Sequence, residues 1–218
     1  MIATCVIELG LLLYTLWRYK LSTIGRLVAT LLALLATFQL AEFQVCTPAL
    51  GEMPIGWVQL GYIAITLLPA VGIHLVLAIA GKKQPVLLWA AYGSSTAFAL
   101  LFGLRDEIFR GYVCAGNYNI FQLASPFGGV YFAFYYFWLA VGIGLAWSLA
   151  IRASKTIQKA LYLQIVGYLC FMVPTAIINT LAPQTLKGLP SIMCGFAVLY
   201  AIILTIGIVP LLLKPRTK

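Results

Sequence analysis

Two glutamates lie inside apolar segments early in the chain, and their positions suggest a buried polar site. Glu8 lies in the apolar run 2–17, and Glu42 lies near the end of run 25–45, three residues after Gln39. An acidic side chain at the centre of a membrane helix costs about 2.5–3.5 kcal/mol, so it normally faces the bundle interior or water. Glu8 and Glu42 therefore either form an internal patch able to share a proton or a cation, or are solvated among lipid headgroups.

Cysteines offer a second kind of chemistry. Cys46 follows the second apolar run, and Cys114 lies in the long connection 105–126. A bond between them would tie this connection to the helices. Cys5 and Cys194 lie at a similar depth, so three complete pairings are possible, and all four could equally be free apolar side chains. The connection itself is either a lid over the bundle or a mobile surface loop.

His74 is the only histidine, and it lies five residues after Pro69 in the third apolar run. No second ligand lies at a comparable depth, and the cysteines show no CxxC or CxxH spacing. We therefore interpret His74 as a hydrogen-bonded interior residue and expect no metal site and no cofactor. Pro69 and Pro174 lie inside predicted helices, which we expect them to kink.

An aromatic run, YFAFYYFW at 131–138, opens the fifth apolar segment. Tyrosine and tryptophan concentrate at membrane interfaces, which favours an aromatic belt. Consecutive residues nevertheless cover the whole circumference of a helix, so some of them must point inward. Tyr135, together with Tyr62 on the third segment, is therefore a candidate for lining an apolar ligand pocket.

The elements that would position these residues are membrane helices. The chain is 63% hydrophobic and 9% charged, whereas a soluble domain carries about 25% charged residues. A spanning helix needs roughly 17–25 mostly apolar residues. Seven such segments are predicted, in one all-α transmembrane domain covering residues 1–218: 2–17, 25–45, 56–80, 85–104, 127–151, 159–181 and 190–213. The first has no basic residues before it, so we interpret it as a retained helix.

Charge fixes the predicted orientation. With the N-terminus outside, 11 of the 14 basic residues fall on the cytoplasmic side and all five acidic residues fall in the outer half. The positive-inside rule then predicts a multi-pass protein of the cytoplasmic membrane with its C-terminus inside. The basic residues lie in short clusters between apolar runs, so no nucleic-acid partner is expected.

Enzyme motifs are absent from the sequence. It contains no HExxH, GxSxG or P-loop pattern, and the seventh segment has no lysine for a retinal Schiff base. We therefore expect no catalytic residues and no enzymatic activity.

Several short motifs resemble the N-terminal seven-helix region of bacterial sensor histidine kinases. Family members read roughly LPxxxLHF and then a short basic turn. Here residues 67–75 read LLPAVGIHL, with GKK at 81–83, although Leu75 replaces the usual aromatic residue. The similarity extends to residues 38–43, 164–167 and 179–183, and the order and length of the elements match over almost the whole chain.

This resemblance implies a sensory or receptor-like membrane module. In that family the helices precede an output domain, whereas this chain stops after the seventh segment, so we expect it to act through a membrane or cytoplasmic protein partner. Its leading function would be binding of a small apolar or amphipathic ligand in the outer half of the bundle. The alternatives are an accessory subunit of a larger complex and a small proton- or cation-coupled transporter. The sequence leaves the ligand and the oligomeric state open.

Overall fold

The computed structural model describes residues 1–47, 54–115 and 118–215. It is mainly helical, and within these ranges seven long helices follow one another. They are α1 (Ile2–Arg18), α2 (Thr23–Cys46), α3 (Pro54–Ile79), α4 (Pro85–Leu104), α5 (Phe127–Ala150), α6 (Lys155–Leu181) and α7 (Leu189–Leu212). A π-helical stretch, Ile203–Ile208, interrupts α7.

Helices form at all seven predicted positions, and their ends differ from the predicted ends by four residues at most. Six of them, α2 to α7, are long and apolar enough to cross a membrane. The remaining helix, α1, has 17 residues and is not among those six. The fold is therefore consistent with a multi-pass membrane protein.

Local sequence explains where several helices begin. The Ser22 hydroxyl caps α2 by accepting a hydrogen bond from the Gly25 amide at 3.4 Å. Pro85 opens α4, where its missing N–H costs nothing and its fixed φ suits the first helical turn. Between α3 and α4, Gly81 adopts a φ of +62°, a left-handed conformation that glycine tolerates best.

The centre of the bundle is α3, which packs against α2, α4, α5 and α6. Its hydrophobic residues lie on all sides, as expected for a helix surrounded by other helices. By contrast, most of α4 faces outward, and its exposed side chains include Val86, Trp89 and Leu104. Such an apolar outer surface is suited to lipid rather than to water.

An antiparallel hairpin makes the prediction of an all-α fold incomplete. Strands β1 (Phe109–Ala115) and β2 (Tyr118–Leu123) pair within the connection that was predicted to be either a lid or a mobile loop. Both strands are rich in aromatic and β-branched residues, which favour extended structure. Phe121 is buried beneath the hairpin, so one face of the hairpin packs against the helices.

The bundle has two chemically different ends. We call the first the hairpin end, because there the β hairpin meets the C-terminus of α2 and the N-terminus of α7. At the opposite end, which we call the basic end, Tyr19 after α1 forms a β bridge with Pro215 after α7. This bridge brings the C-terminal ends of α1 and α7 together at the basic end.

A tight contact between α6 and α7 explains one helical glycine. The Tyr200 ring packs so closely on Gly167 that an added Cβ would approach ring carbons more closely than real Cβ atoms do. The hydroxyl of Tyr200 accepts a hydrogen bond from Nε2 of Gln164, one turn earlier on α6. Both α6 residues belong to the segment 164–167 that carries part of the family resemblance.

We expect Gly167→Ala to lower the free energy of unfolding by about 1–3 kcal/mol, the usual cost of overpacking a core. Gly144→Ala on α5 is the matched control, because no atom lies within 4 Å of its added Cβ. There the higher helix propensity of alanine should leave stability unchanged or raise it by up to about 1 kcal/mol. Thermal unfolding in detergent measures both variants, and equal effects would contradict the close packing seen at Tyr200.

Candidate functional site

The two glutamates lie inside the bundle at the hairpin end. Glu8 on α1 and Glu42 on α2 are only 0% and 1% exposed. Within the described chain, none of their four carboxyl oxygens has a hydrogen-bond partner. The two groups are close enough for their charges to repel each other. They therefore form an internal pair rather than two acids solvated at a membrane surface.

Two further polar groups complete what we call the acid cluster: Glu8, Gln39, Glu42 and Tyr62. Gln39 lies one turn before Glu42 on the same face of α2 and is buried, and its Nε2 has no partner among the described residues. The hydroxyl of Tyr62 on α3 is also buried without a partner there, and it lies within electrostatic range of Glu42. Four of the five predicted ligand-binding candidates thus converge.

Few opposite charges compensate this cluster. The α-amino group of Met1 attracts both carboxyls at a distance, but the ion pair found in the described residues joins Arg105 to Glu107 on the surface. The Ser191 hydroxyl on α7 interacts with the Glu42 carboxyl, although neither oxygen of Glu42 completes a hydrogen bond of ordinary geometry. The cluster thus retains unused capacity to accept hydrogen bonds.

The β hairpin packs beside the acid cluster, at the hairpin end of the bundle. Cys46 at the end of α2 and Cys114 on β1 form a disulfide. Beside it, Nδ2 of Asn119 on β2 donates to the backbone carbonyl of Glu42 at 2.8 Å, and the Asn119 amide donates to Ser191 Oγ at 3.0 Å. The hairpin is thereby fastened to both α2 and α7 directly beside the acid cluster.

A surface contact holds the start of the hairpin segment. Nε2 of Gln59 on α3 donates to Oδ1 of Asp106 at 2.6 Å, just before β1. Next to it, the pKa of Glu107 lies below its ordinary value, because its own backbone amide and the Arg105 guanidinium donate to the carboxylate. These contacts are exposed, so they add little stability but help to orient the hairpin.

Tyr135, the fifth candidate, lies deeper in the bundle. It is buried on α5 and forms part of the wall between two small apolar voids, together with Met193 and Cys194. The space open to the centre of a water-sized sphere is about 20 Å³ in one void and about 10 Å³ in the other. Pockets that hold drug-sized ligands measure roughly 300–1,000 Å³, so the bundle is closed around Tyr135.

The three structural candidates lie away from the acid cluster. Nδ1 of His74 lies 3.1 Å from the Tyr92 hydroxyl on α4, within hydrogen-bonding distance. Pro69 is a buried residue inside α3, and Pro174 is a partly buried residue inside α6. The helices continue through both prolines, so each proline removes one backbone hydrogen bond without ending its helix.

Comparison with other proteins adds no family assignment. No protein-family model matches this chain. A search of curated proteins finds no match either. The argument for function therefore depends on the geometry of the site, and the resemblance to the membrane region of sensor histidine kinases remains a prediction.

The sequence did not identify three residues beside the site as site residues: Ser191, Cys194 and Asn119. Ser191 and Cys194 are one turn apart at the start of α7, and Cys194 is close enough to interact with both Glu42 and Glu8. Because α7 begins at the hairpin end, where α2 finishes, matching helix depths could have placed these two beside Glu42. No comparable signal identifies Asn119, because its position depends on the register of the hairpin.

Proposed function

We propose that this protein is a seven-helix sensory or receptor-like membrane protein that binds a small apolar or amphipathic ligand beside the acid cluster. The observation that carries the proposal is the set of buried polar groups without partners. Leaving a buried polar group unsatisfied costs about 1–3 kcal/mol, and more when the group is charged. A fold that retains several such groups in one place is typically retaining them for function.

The length of α1 and its apolar outer surface favour seven membrane spans. Its 17 residues extend about 26 Å at 1.5 Å per residue, slightly less than the ~30 Å hydrocarbon layer. Large apolar side chains cover its outer face, including Val6, Leu13 and Trp17, which are 61–69% exposed. Lipid would cover this apolar face, while Glu8 faces the protein interior.

We propose that the protein lies in the cytoplasmic membrane, with the hairpin end outside the cell and the basic end in the cytoplasm. The clusters at the basic end, namely Arg18, Lys20, Arg26, Lys82, Lys83, Arg152, Lys155, Lys159 and Lys214, support it. An exterior hairpin end also agrees with the Cys46–Cys114 disulfide, which an oxidising compartment would preserve.

Ligand binding would require a rearrangement around Tyr135. The two voids share Tyr135, Met193 and Cys194, so movement of the tyrosine or the methionine would join them into one larger pocket. Cys194 also borders the acid cluster. The joined voids are still far smaller than a ligand pocket of roughly 300 Å³ or more, so the surrounding helices must also move apart. A ligand with an apolar body and a hydrogen-bond-donating or cationic end would then enter beside Tyr135 and pair with a glutamate.

The seventh helix offers a route from this pocket to the opposite end. It begins beside the acid cluster, passes through the π-helical stretch Ile203–Ile208, and ends where Pro215 bridges Tyr19. Pro210 follows this stretch and has no N–H to donate, so a widened turn accommodates it. A ligand that favours one arrangement of α7 would shift the population of states presented to a partner at the basic end.

A thermal-shift screen of small apolar and amphipathic compounds in detergent tests the site. A compound that stabilises the parent protein should lose at least tenfold in apparent affinity against Glu42→Ala and against Tyr135→Ala. Phe137→Ala is the control, because Phe137 is exposed on α5 close to Tyr135. If the Glu42 and Tyr135 variants respond to the compound as the parent does, the proposed site is wrong.

A second candidate function is proton- or cation-coupled transport, and the proximity of Glu8 to Glu42 specifically favours it. Two acids that share a low-dielectric site can hold one proton or one cation between them. Uptake into proteoliposomes that is abolished by Glu42→Gln but unaffected by Glu107→Gln would support transport. Ligand binding without uptake would support the sensory function instead.

A further inference from the structure

A groove at the basic end is separate from the acid cluster. It measures about 630 Å³, within the range of roughly 300–1,000 Å³ that is usual for ligand pockets. The C-terminus of α3 and the N-termini of α2 and α4 enclose it. Its polar lining consists of Ser22, Thr23, His74, Lys82, Lys83 and Gln84.

The polar part of this groove is strongly positive. Lys82 and Lys83 are exposed, and neither has an ion-pair partner in the described ranges. The described acidic residues all belong to the hairpin end. Two helix N-termini add partial positive charge, and α4 begins without a side-chain cap, so its first amides remain able to donate. This combination of groups fits a phosphate.

The remaining wall is apolar. Ile24, Leu77, Ala78 and Leu88 also line the groove. On the same helix as Leu88, Val86 and Trp89 are 81% and 78% exposed, and this helix, α4, is apolar enough to lie in a membrane. A soluble anion would leave this apolar wall unused, whereas a lipid would place its phosphate near the lysines and its acyl chains along α4.

We propose that this groove binds the headgroup of an anionic phospholipid. Basic pockets between membrane helices recognise such headgroups by charge, with the acyl chains held by the flanking apolar surface. The half-buried His74 forms part of the groove wall, and its pairing with the Tyr92 hydroxyl braces α3 against α4 there. The site requires neither the ligand nor the partner of the proposed sensory function.

The test uses the full chain in an uncharged detergent, with thermal unfolding as the readout. Short-chain phosphatidylglycerol should raise the unfolding temperature in a saturable way, whereas phosphatidylcholine with the same chains should not. Because each lysine near an anionic lipid surface contributes roughly a factor of five in affinity, Lys82→Gln/Lys83→Gln should weaken the response about 30-fold. Inorganic phosphate at the same concentration should shift the unfolding temperature much less.

The matched control is Lys155→Gln/Lys159→Gln, which removes two exposed lysines from the same end but outside the groove. This variant should keep the parent affinity for phosphatidylglycerol to within about twofold. Equal losses in the two double variants would mean diffuse attraction and would overturn the proposal. An equal response to inorganic phosphate would overturn it in favour of a soluble-anion site, and an absent or equal response to both lipids would exclude headgroup recognition.

Discussion

Glu42→Leu should make the protein more stable by about 1–3 kcal/mol, the usual cost of a buried polar group without a partner. The Glu42 side chain is 1% exposed, and neither of its oxygens has a hydrogen-bond partner within the part of the chain that the structure describes. Leucine has a similar volume and needs no partner. Glu42→Gln should give a smaller gain, because the amide removes the charge but remains polar.

Thermal unfolding in detergent measures this gain, and for a chain of this size we expect a rise of about 2–4 °C for each kcal/mol. Glu107→Gln is the control, since Glu107 pairs with Arg105 on the surface and exposed pairs contribute little to stability. Stabilisation of Glu42→Leu combined with loss of ligand response would show that stability is sacrificed for function at this site. A lower unfolding temperature for both Glu42 variants would instead mean that the carboxyl supports the fold.

The arrangement of the helices was largely predictable because lipid restricts the choices available to a chain. Every backbone polar group must be satisfied inside the hydrocarbon layer, so long apolar runs become helices. Gly81 and the prolines Pro85 and Pro190 mark breaks between them. Even so, α6 begins at Lys155, four residues earlier than predicted, because polar residues at the membrane surface can continue a helix beyond its apolar part.

The β hairpin was not predictable by the same reasoning. Its strands lie outside the apolar runs, where hydropathy no longer distinguishes helix, strand and loop. Alternation is weak along β1 and β2, and the pairing depends on contacts with other elements, such as that between Asn119 and Ser191. Residues that are far apart in sequence make these contacts, so the composition of 109–123 gives neither the pairing partner nor the register, and no strand was predicted there.

The acid cluster was partly predictable, less so than the helices and more so than the hairpin. The cost of an acid in an apolar helix left two alternatives for Glu8 and Glu42, an internal patch or solvation among headgroups, and the structure shows both side chains buried. The spacing on α2 placed Gln39 on the same face as Glu42. The packing around Tyr135 was harder to predict from the sequence. The aromatic run made Tyr135 one of several candidates for pointing inward, and the structure shows it buried. The size of a cavity depends on how side chains of five helices interlock, and the structure places closed voids of about 20 and 10 Å³ there.

Loss of the Cys46–Cys114 disulfide should have the largest destabilising effect of any single change considered. The bond joins residues 68 positions apart, and removing a disulfide typically costs about 2–4 kcal/mol, mainly because the unfolded chain gains freedom. The bond also ties the C-terminal end of α2 to the hairpin, and this direct tether would be lost. Cys114→Ser should therefore lower the unfolding temperature, and a reducing agent should do the same to the parent protein.

The same change should open the acid cluster to solvent. In the intact protein, Asn119 on the hairpin is bonded to the Glu42 backbone, and both glutamates are inaccessible. Releasing the hairpin should let a carbodiimide modify Glu8 and Glu42 faster, as followed by mass spectrometry, while the exposed Glu107 reacts at an unchanged rate. Cys170→Ser is the control, because Cys170 is a free cysteine on α6. If Cys114→Ser left stability and both modification rates at the parent values, the hairpin would not be the cover that holds the cluster closed.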